Sequence, residues 1–369
     1  MRLALRELRR RPGRFVVAAS ILTLIALLLM FLGGLLDGLI GSSTAAYRAQ
    51  PGDLIVYSAS SRESLVRSRI TAETRAAVEA TAGVEAIGGL GSLQVGARLG
   101  EDPGSRELVG TVLFGYELAP RGLPAEPPPT GEVVADSSLR SEGVSVGDTV
   151  LLGPQRSPLR VTGFVDDTRY SGQVSLWGSL DTWRAVTAAN RPGQSPGDTV
   201  QALVVRTDGA PAAVAAAIDA GSGSTATLTL AAATEALPGV AQQRSTFNQI
   251  IGVTALVALV VVALFFALIT VERTALYGIL KAVGASGATL FAGVVTQALV
   301  VTGLAATIGV AGSLALDAVL PAGAIPFEVT PSRLITSVVL MLVAAIAGCA
   351  FSLRRVLRVE PASAIGTAG

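Results

Sequence analysis

Four uninterrupted apolar stretches, near Phe15–Leu36, Ile250–Val271, Ala288–Leu316 and Leu334–Leu353, constrain this chain more than any other feature. Each reaches the ~20 residues with which a helix crosses a ~30 Å hydrocarbon core. Lipid offers the backbone no hydrogen-bond partners, so each stretch must close its own bonds as a helix. A long polar segment separates the first stretch from the second. The expected fold is therefore an integral membrane α-helical protein with four transmembrane helices. A mixed α/β extracytoplasmic domain is inserted between helices 1 and 2.

Charge sets the expected orientation. Arg2, Arg6, Arg9, Arg10, Arg11 and Arg14 precede the first span, and Arg354, Arg355 and Arg358 follow the last. Residues 41–245 hold 16 arginines against 21 Asp and Glu, a balance of −5. Basic flanks stay cytoplasmic, which places both termini inside a bacterial plasma membrane and the insert outside. The first apolar run is longer than the 7–15 residues of a secretory signal, so it is expected to remain as an anchor. The boundaries read as a basic N-terminus 1–14, spans 15–40, 247–271, 288–316 and 333–353, and an outer domain with stalk 41–246. A cytoplasmic helix 272–287, an outer loop 317–332 and a tail 354–369 complete them.

Absences narrow the chemistry. The chain has no histidine, which removes Ser-His-Asp and Cys-His triads and the commonest zinc ligand. Its one cysteine, Cys349, falls inside the fourth span. Its one lysine, Lys281, is followed by Ala282, so no phosphate-binding Gly-Lys-Ser/Thr loop exists. The chain reads as a non-enzyme that holds no cofactor of its own, with ATP and Mg²⁺ left to a partner subunit. The paired acids Asp166 and Asp167 read as solvated, and Trp177 and Trp183 as core aromatics. No nucleic-acid partner is expected.

Within the insert, strands are expected at Asp53–Tyr57, Leu93–Leu99, Glu107–Tyr116, Glu132–Ala135, Asp148–Leu152, Leu159–Val165, Gln201–Arg206 and Thr225–Leu230. Helices are expected at Thr71–Thr81 and Ala210–Ala220, and Leu118–Gly131 reads as a loop. From Leu230 the chain reads as helix running into the second span, with Pro238-Gly239 as a place for a kink. Gly34 and Gly38 form a GxxxG pair, which permits close helix packing.

Between spans two and three, Leu276, Ile279, Leu280 and Val283 recur at the spacing of one helix face, with Arg273, Tyr277 and Lys281 on another side. Gly284 offers a stop and Ser286 a cap for the next span. This amphipathic segment reads either as an interfacial linker on membrane lipids or as a helix that docks into a cytoplasmic ATPase.

The run VERTALYGILKAVGAS (271–286) resembles the signature that follows the second span in MacB/FtsX-like ABC transporter permeases. Tyr277 is a small departure from that pattern. LALRELRRRPGRF (3–15), RRVLRVEPASAI (354–365) and the unit Val133–Val165 resemble the family's lead-in, tail and periplasmic β unit. Leu29–Gly41 followed by Pro51-Gly52-Asp53 looks closest to a four-span branch that includes DevC-type and haem exporters. The resemblance implies a homodimer bound to two ABC ATPase subunits. Such a protein exports by mechanotransmission, with an amphiphile such as haem, lipid or drug as cargo and with a possible extracytoplasmic partner. Carried over, Glu272, Arg273, Gly278, Lys281, Gly284 and Ala285 belong to the coupling element. Leu276, Tyr277, Ile279 and Leu280 join them by position. Met30, Tyr47 or Tyr57 could ligate haem in place of histidine, and Gln297 could line a path or bond a neighbouring helix. The alternative within the family is a regulator that activates an extracytoplasmic cell-wall hydrolase without transporting.

Overall fold

The computed structural model describes residues 12–99, 108–272, 279, 283–284, 286–320 and 325–356. Two compact units emerge, one of residues 1–38 with 244–369 and one of residues 39–243.

The first unit is helical. Helix α1 runs Pro12–Arg48 and passes on into the second unit. In chain order the remaining helices of the first unit are α6 (Val240–Glu272), α7 (Gly287–Val319) and α8 (Pro331–Val356), after the elements of the insert. All four are long and apolar enough to cross a membrane. Their shared core uses one stripe of each helix: Phe15, Ala18, Leu22, Ala26 and Leu29 on α1, then Val262, Phe266 and Ile269 on α6. Val294, Ala298, Val301 and Ala305 on α7 and Met341, Ala345 and Cys349 on α8 complete it. The opposite faces carry exposed valines, leucines and isoleucines, as lipid-facing surfaces do. Small residues set the close approaches. A Cβ on Gly309 would lie 2.8 Å from the Ala26 Cβ, and one on Gly348 would lie 2.8 Å from the Leu259 carbonyl oxygen.

Among its described residues the insert holds nine strands: β1 (Leu54–Ser58), β2 (Val84–Leu99), β3 (Leu108–Tyr116), β4 (Glu132–Asp136), β5 (Thr149–Leu152), β6 (Ser157–Val165), β7 (Val174–Ser179), β8 (Ala202–Thr207) and β9 (Thr225–Thr229). Helices α2 (Ala72–Glu79), α3 (Leu180–Asn190), α4 (Pro211–Ser222) and α5 (Leu230–Glu235) interleave with them. Thr71, Ser179 and Thr229 cap α2, α3 and α5 by accepting the amide three residues on. The strand order is β3-β7-β4-β6-β5-β2-β8-β1-β9, and β2 also pairs with β3. The ladder β2-β3-β7-β4-β6-β5 thus returns to β2 and closes. The first part of β2 meanwhile pairs with β8. β3–β7 and β4–β6 run parallel and the other pairs antiparallel, a mixed sheet.

Period-two alternation divides the core between the two faces of this sheet. Leu54, Val56, Leu203 and Val205 join one cluster with Leu93, Leu113, Val133, Leu176 and the helix residues Val78, Trp183 and Ile218. Ile55, Tyr57, Ala202 and Val204 join the other with Tyr47, Phe114, Tyr116, Tyr170 and Trp177. On the free edge of β9, the Thr227 amide and hydroxyl both donate to Asp219 of α4, at 3.0 and 2.6 Å. That carboxylate takes a bond that an added strand would need.

The elements expected in the insert are present with four differences. β2 begins nine residues earlier than expected, and β7 and α3 were not anticipated. The helical stretch after Leu230 is two helices, because the chain breaks at Pro238 and Gly239 has φ +88°.

Glu117, just beyond β3, accepts the Gly89 amide at 2.6 Å and pairs with Arg75 at 2.8 Å. Burial pushes this carboxyl up. The hydrogen bonds from Arg75 and Gly89 and the charges of Arg75 and Arg184 outweigh burial and hold it below its ordinary 4.5. A carboxyl depressed in the native state adds stability above its unfolded pKa and loses it as pH falls through the native one. Glu117→Gln is therefore expected to lower the unfolding temperature at neutral pH, with the gap from wild type closing below about pH 4. Thermal unfolding of both proteins across that range measures it; a gap that widens in acid would contradict the pairing.

Candidate functional site

The segment between α6 and α7 is the strongest candidate in the sequence. Glu272 is the last residue of α6. The Val283 amide donates to the Ile279 carbonyl at 3.0 Å, a helical turn, and Gly284 follows with φ +102°. Ser286 then caps α7 by accepting the Thr289 amide at 3.2 Å. Ile279 and Val283 are 63% and 83% exposed, so this turn presents apolar side chains outward. Arg273, Leu276, Tyr277, Gly278, Leu280, Lys281 and Ala285 lie outside the described residues, as do residues 1–11 and 357–369 of the family-like termini.

Gly34 and Gly38 meet an unexpected neighbour. A Cβ on Gly34 would fall 2.5 Å from the Phe327 ring, and one on Gly38 would collide with the Pro326 backbone. The close approach is thus made by the segment before α8 and not by another helix. Phe327 also stacks on Phe31, with ring centroids 5.6 Å apart. Sequence reasoning missed Asp37 and Arg333, which pair across the same spot at 2.5 Å. A charged residue bordering each of two apolar runs was the available signal, since a charge close to membrane depth needs a partner.

The suggested haem ligands are packed. Met30 is buried, and a Cβ on Gly309 would lie 3.3 Å from its sulfur. The Tyr47 and Tyr57 hydroxyls share a hydrogen bond of 2.9 Å, and the Tyr47 ring stacks on Tyr170 at 5.7 Å. Burial pushes the Tyr57 phenol up and raises Tyr170 to about 12, which works against the phenolate that an iron would bind.

Trp177 and Trp183 sit in the two faces of the insert core, as expected. Asp167 pairs with Arg48 at 3.2 Å on the surface. Gln297 is buried on α7. Among the described residues, no group of three or more His, Cys, Asp or Glu side chains is placed to share a metal ion.

Residues 248–361 match the family described as FtsX-like permease C-terminal. Two similar proteins are the putative hemin transport system permeases HrtB of Staphylococcus haemolyticus JCSC1435 and Staphylococcus epidermidis ATCC 35984. The first is 20% identical over 377 residues and the second 20% over 376, each match covering 99% of both chains. Among solved structures, the periplasmic region of MacB from Actinobacillus actinomycetemcomitans is 14% identical, with a TM-score of 0.35. That match covers 50% of this chain and 92% of the other. The extracellular domain of the noncanonical ABC-type transporter YknZ from Gram-positive bacteria is also 14% identical, with a TM-score of 0.34 over 48% of this chain and 99% of its own. The FtsX-like match over the last three spans, the end-to-end similarity to the HrtB permeases and the insert between spans one and two point the same way: they support an FtsX/MacB-like ABC permease, which this chain resembles from end to end.

Proposed function

We propose that the chain is the membrane subunit of an ABC exporter that works by mechanotransmission, as a homodimer driven by a separate ATPase. Both termini face the cytoplasm and the insert faces outward. The observation that carries this reading is the helical turn between α6 and α7, which holds Ile279 and Val283 exposed. Apolar anchors of this kind supply most of the docking free energy of an interface, and the charges around them set its register. The coupling role extends to Glu272, Arg273, Leu276, Tyr277, Gly278, Leu280, Lys281, Gly284 and Ala285.

The cargo is an amphiphile. The relatives named for hemin transport favour a haem-like molecule, held by contacts other than a histidine ligand. The distribution of apolar surface supports this class of cargo. Among the described residues of the insert, only Val66 and Val146 are large exposed hydrophobics, whereas the spans expose many. An apolar cargo therefore meets the spans first and the insert as a moving body.

Purification of the tagged chain from native membranes in mild detergent tests the coupling. A nucleotide-hydrolysing subunit is expected to accompany the wild type and to be lost from Leu276→Asp/Ile279→Asp. Binding of that subunit that ignores both substitutions would remove the coupling role. Cells lacking the wild-type chain are expected to become sensitive to haemin.

A further inference from the structure

We propose that residues 326–333 clasp the first span permanently, and that the clasp forms a second mechanical route into α1. The direct route is α6, which begins at Val240 and ends where the coupling segment starts. The second route begins at α7, whose first residue, Gly287, follows the same segment. α7 packs against α8, and the first turn of α8 carries Arg333.

Arg333 grips Asp37 at two points. Its Nη2 donates to Oδ1 at 2.5 Å and its Nε to Oδ2 at 3.1 Å. The Thr330 hydroxyl adds a third bond to Oδ2 at 2.9 Å. The two charged side chains are only 25% and 19% exposed, so solvent screens this pair less than a surface pair. Two parallel bonds also fix orientation, which a single contact does not.

The backbone joins in. The Glu328 amide donates to the Gly34 carbonyl at 3.1 Å, and Phe327 lies flat on Phe31. The clasp needs its glycines as well, because a Cβ on Gly33 would press on the Arg333 side chain, one on Gly34 on Phe327 and one on Gly38 on Pro326. An ion pair, a backbone hydrogen bond, a ring stack and three glycine contacts all fall within two turns of α1. They hold that stretch and the start of α8 as one body. Beyond it, α1 continues unbroken to Arg48. A displacement delivered to α7 and α8 therefore reaches α1 at Asp37.

This inference rests on the transport reading above, and the experiment separates the two. The full chain with its ATPase is reconstituted in liposomes, with haemin as the transported probe. Asp37→Asn and Arg333→Gln are each expected to keep ATP hydrolysis within about twofold while haemin export falls roughly tenfold, within the usual range of coupling factors between linked sites. The exchange Asp37→Arg/Arg333→Asp is expected to recover export. A short bismaleimide bridge between Phe31→Cys and Phe327→Cys in the Arg333→Gln background is expected to do the same. In the otherwise wild-type chain that bridge should leave ATP hydrolysis unchanged. Single variants that export normally would overturn the clasp, as would losses that neither the exchange nor the bridge repairs. A bridge that halts hydrolysis would show that the segment opens in each cycle and would overturn its permanence. A wild type that hydrolyses ATP yet exports no haemin would count against the choice of cargo alone, since the bridge and hydrolysis comparison still decides the clasp.

Discussion

Trp177→Ala is expected to destabilise the inserted domain by about 3–5 kcal/mol, the usual cost of cutting a buried large aromatic back to a methyl group. Trp177 is fully buried and lies at the centre of an aromatic cluster. Its ring stacks on Phe114 at 4.5 Å and meets Tyr116 edge-on at 6.2 Å. Its Nε1 donates to the Ser175 hydroxyl at 2.8 Å, which donates to Thr168, which in turn donates to the buried carboxylate of Asp136. The substitution therefore removes packing from one face of the sheet and loosens a polar chain on β4 and β7. For a unit of this size the unfolding midpoint should fall by roughly 10 °C. Trp183 becomes the only remaining tryptophan and reports the transition by fluorescence. Trp177→Phe keeps a ring on Phe114 but loses the hydrogen bond, and about 1–2 kcal/mol is expected. An alanine variant within 2 °C of the wild type would contradict this account of the core.

Gly38→Leu should release the segment before α8. The position allows no Cβ because the Pro326 backbone occupies that space, and a backbone cannot rotate aside as a side-chain tip can. Overpacking of this kind costs about 1–3 kcal/mol, and lifting the segment off also gives up the Phe327 stack and the approach of Arg333. Converted to a population, that cost raises the opened form roughly tenfold to hundredfold. Trypsin reads it as faster cleavage after Arg333. Gly13→Ala serves as the control, since nothing lies within 4 Å of a Cβ there. Equal cleavage rates for the Gly38 variant and the control would show that the segment does not depend on this contact.

The spans were legible because nothing in a soluble fold requires four apolar runs of that length. The early half of β2 was not. Its sequence, Val84–Ser92, is rich in glycine and gives no strand signal, yet the glycines are there for packing. Gly91 faces Gly115 across the ladder, and the Trp183 side chain lies on both, within 3 Å of where either Cβ would stand. β7 escaped for a different reason. Val174–Gly178 is buried on both faces, so it shows no alternation, and a short apolar run has no distinctive period. α3 carries few large apolar residues, because its inner face is Leu180, Trp183 and Val186 with two threonines. The GxxxG pair announced a close approach and was silent about what approaches. That answer lay nearly three hundred residues away, in a short segment that carries Glu328, Thr330 and Ser332 before Arg333 at the head of an apolar run.

β1 and β9 are neighbours, paired from Leu54–Thr229 to Ser58–Thr225. The insert therefore leaves and returns at one edge of its own sheet, with entry and exit side by side. A domain built this way can be spliced between two helices without asking either to shift, much as a cassette slots into a rack. A short flexible linker joining residue 50 to residue 236 should therefore let the helical unit fold with the insert removed.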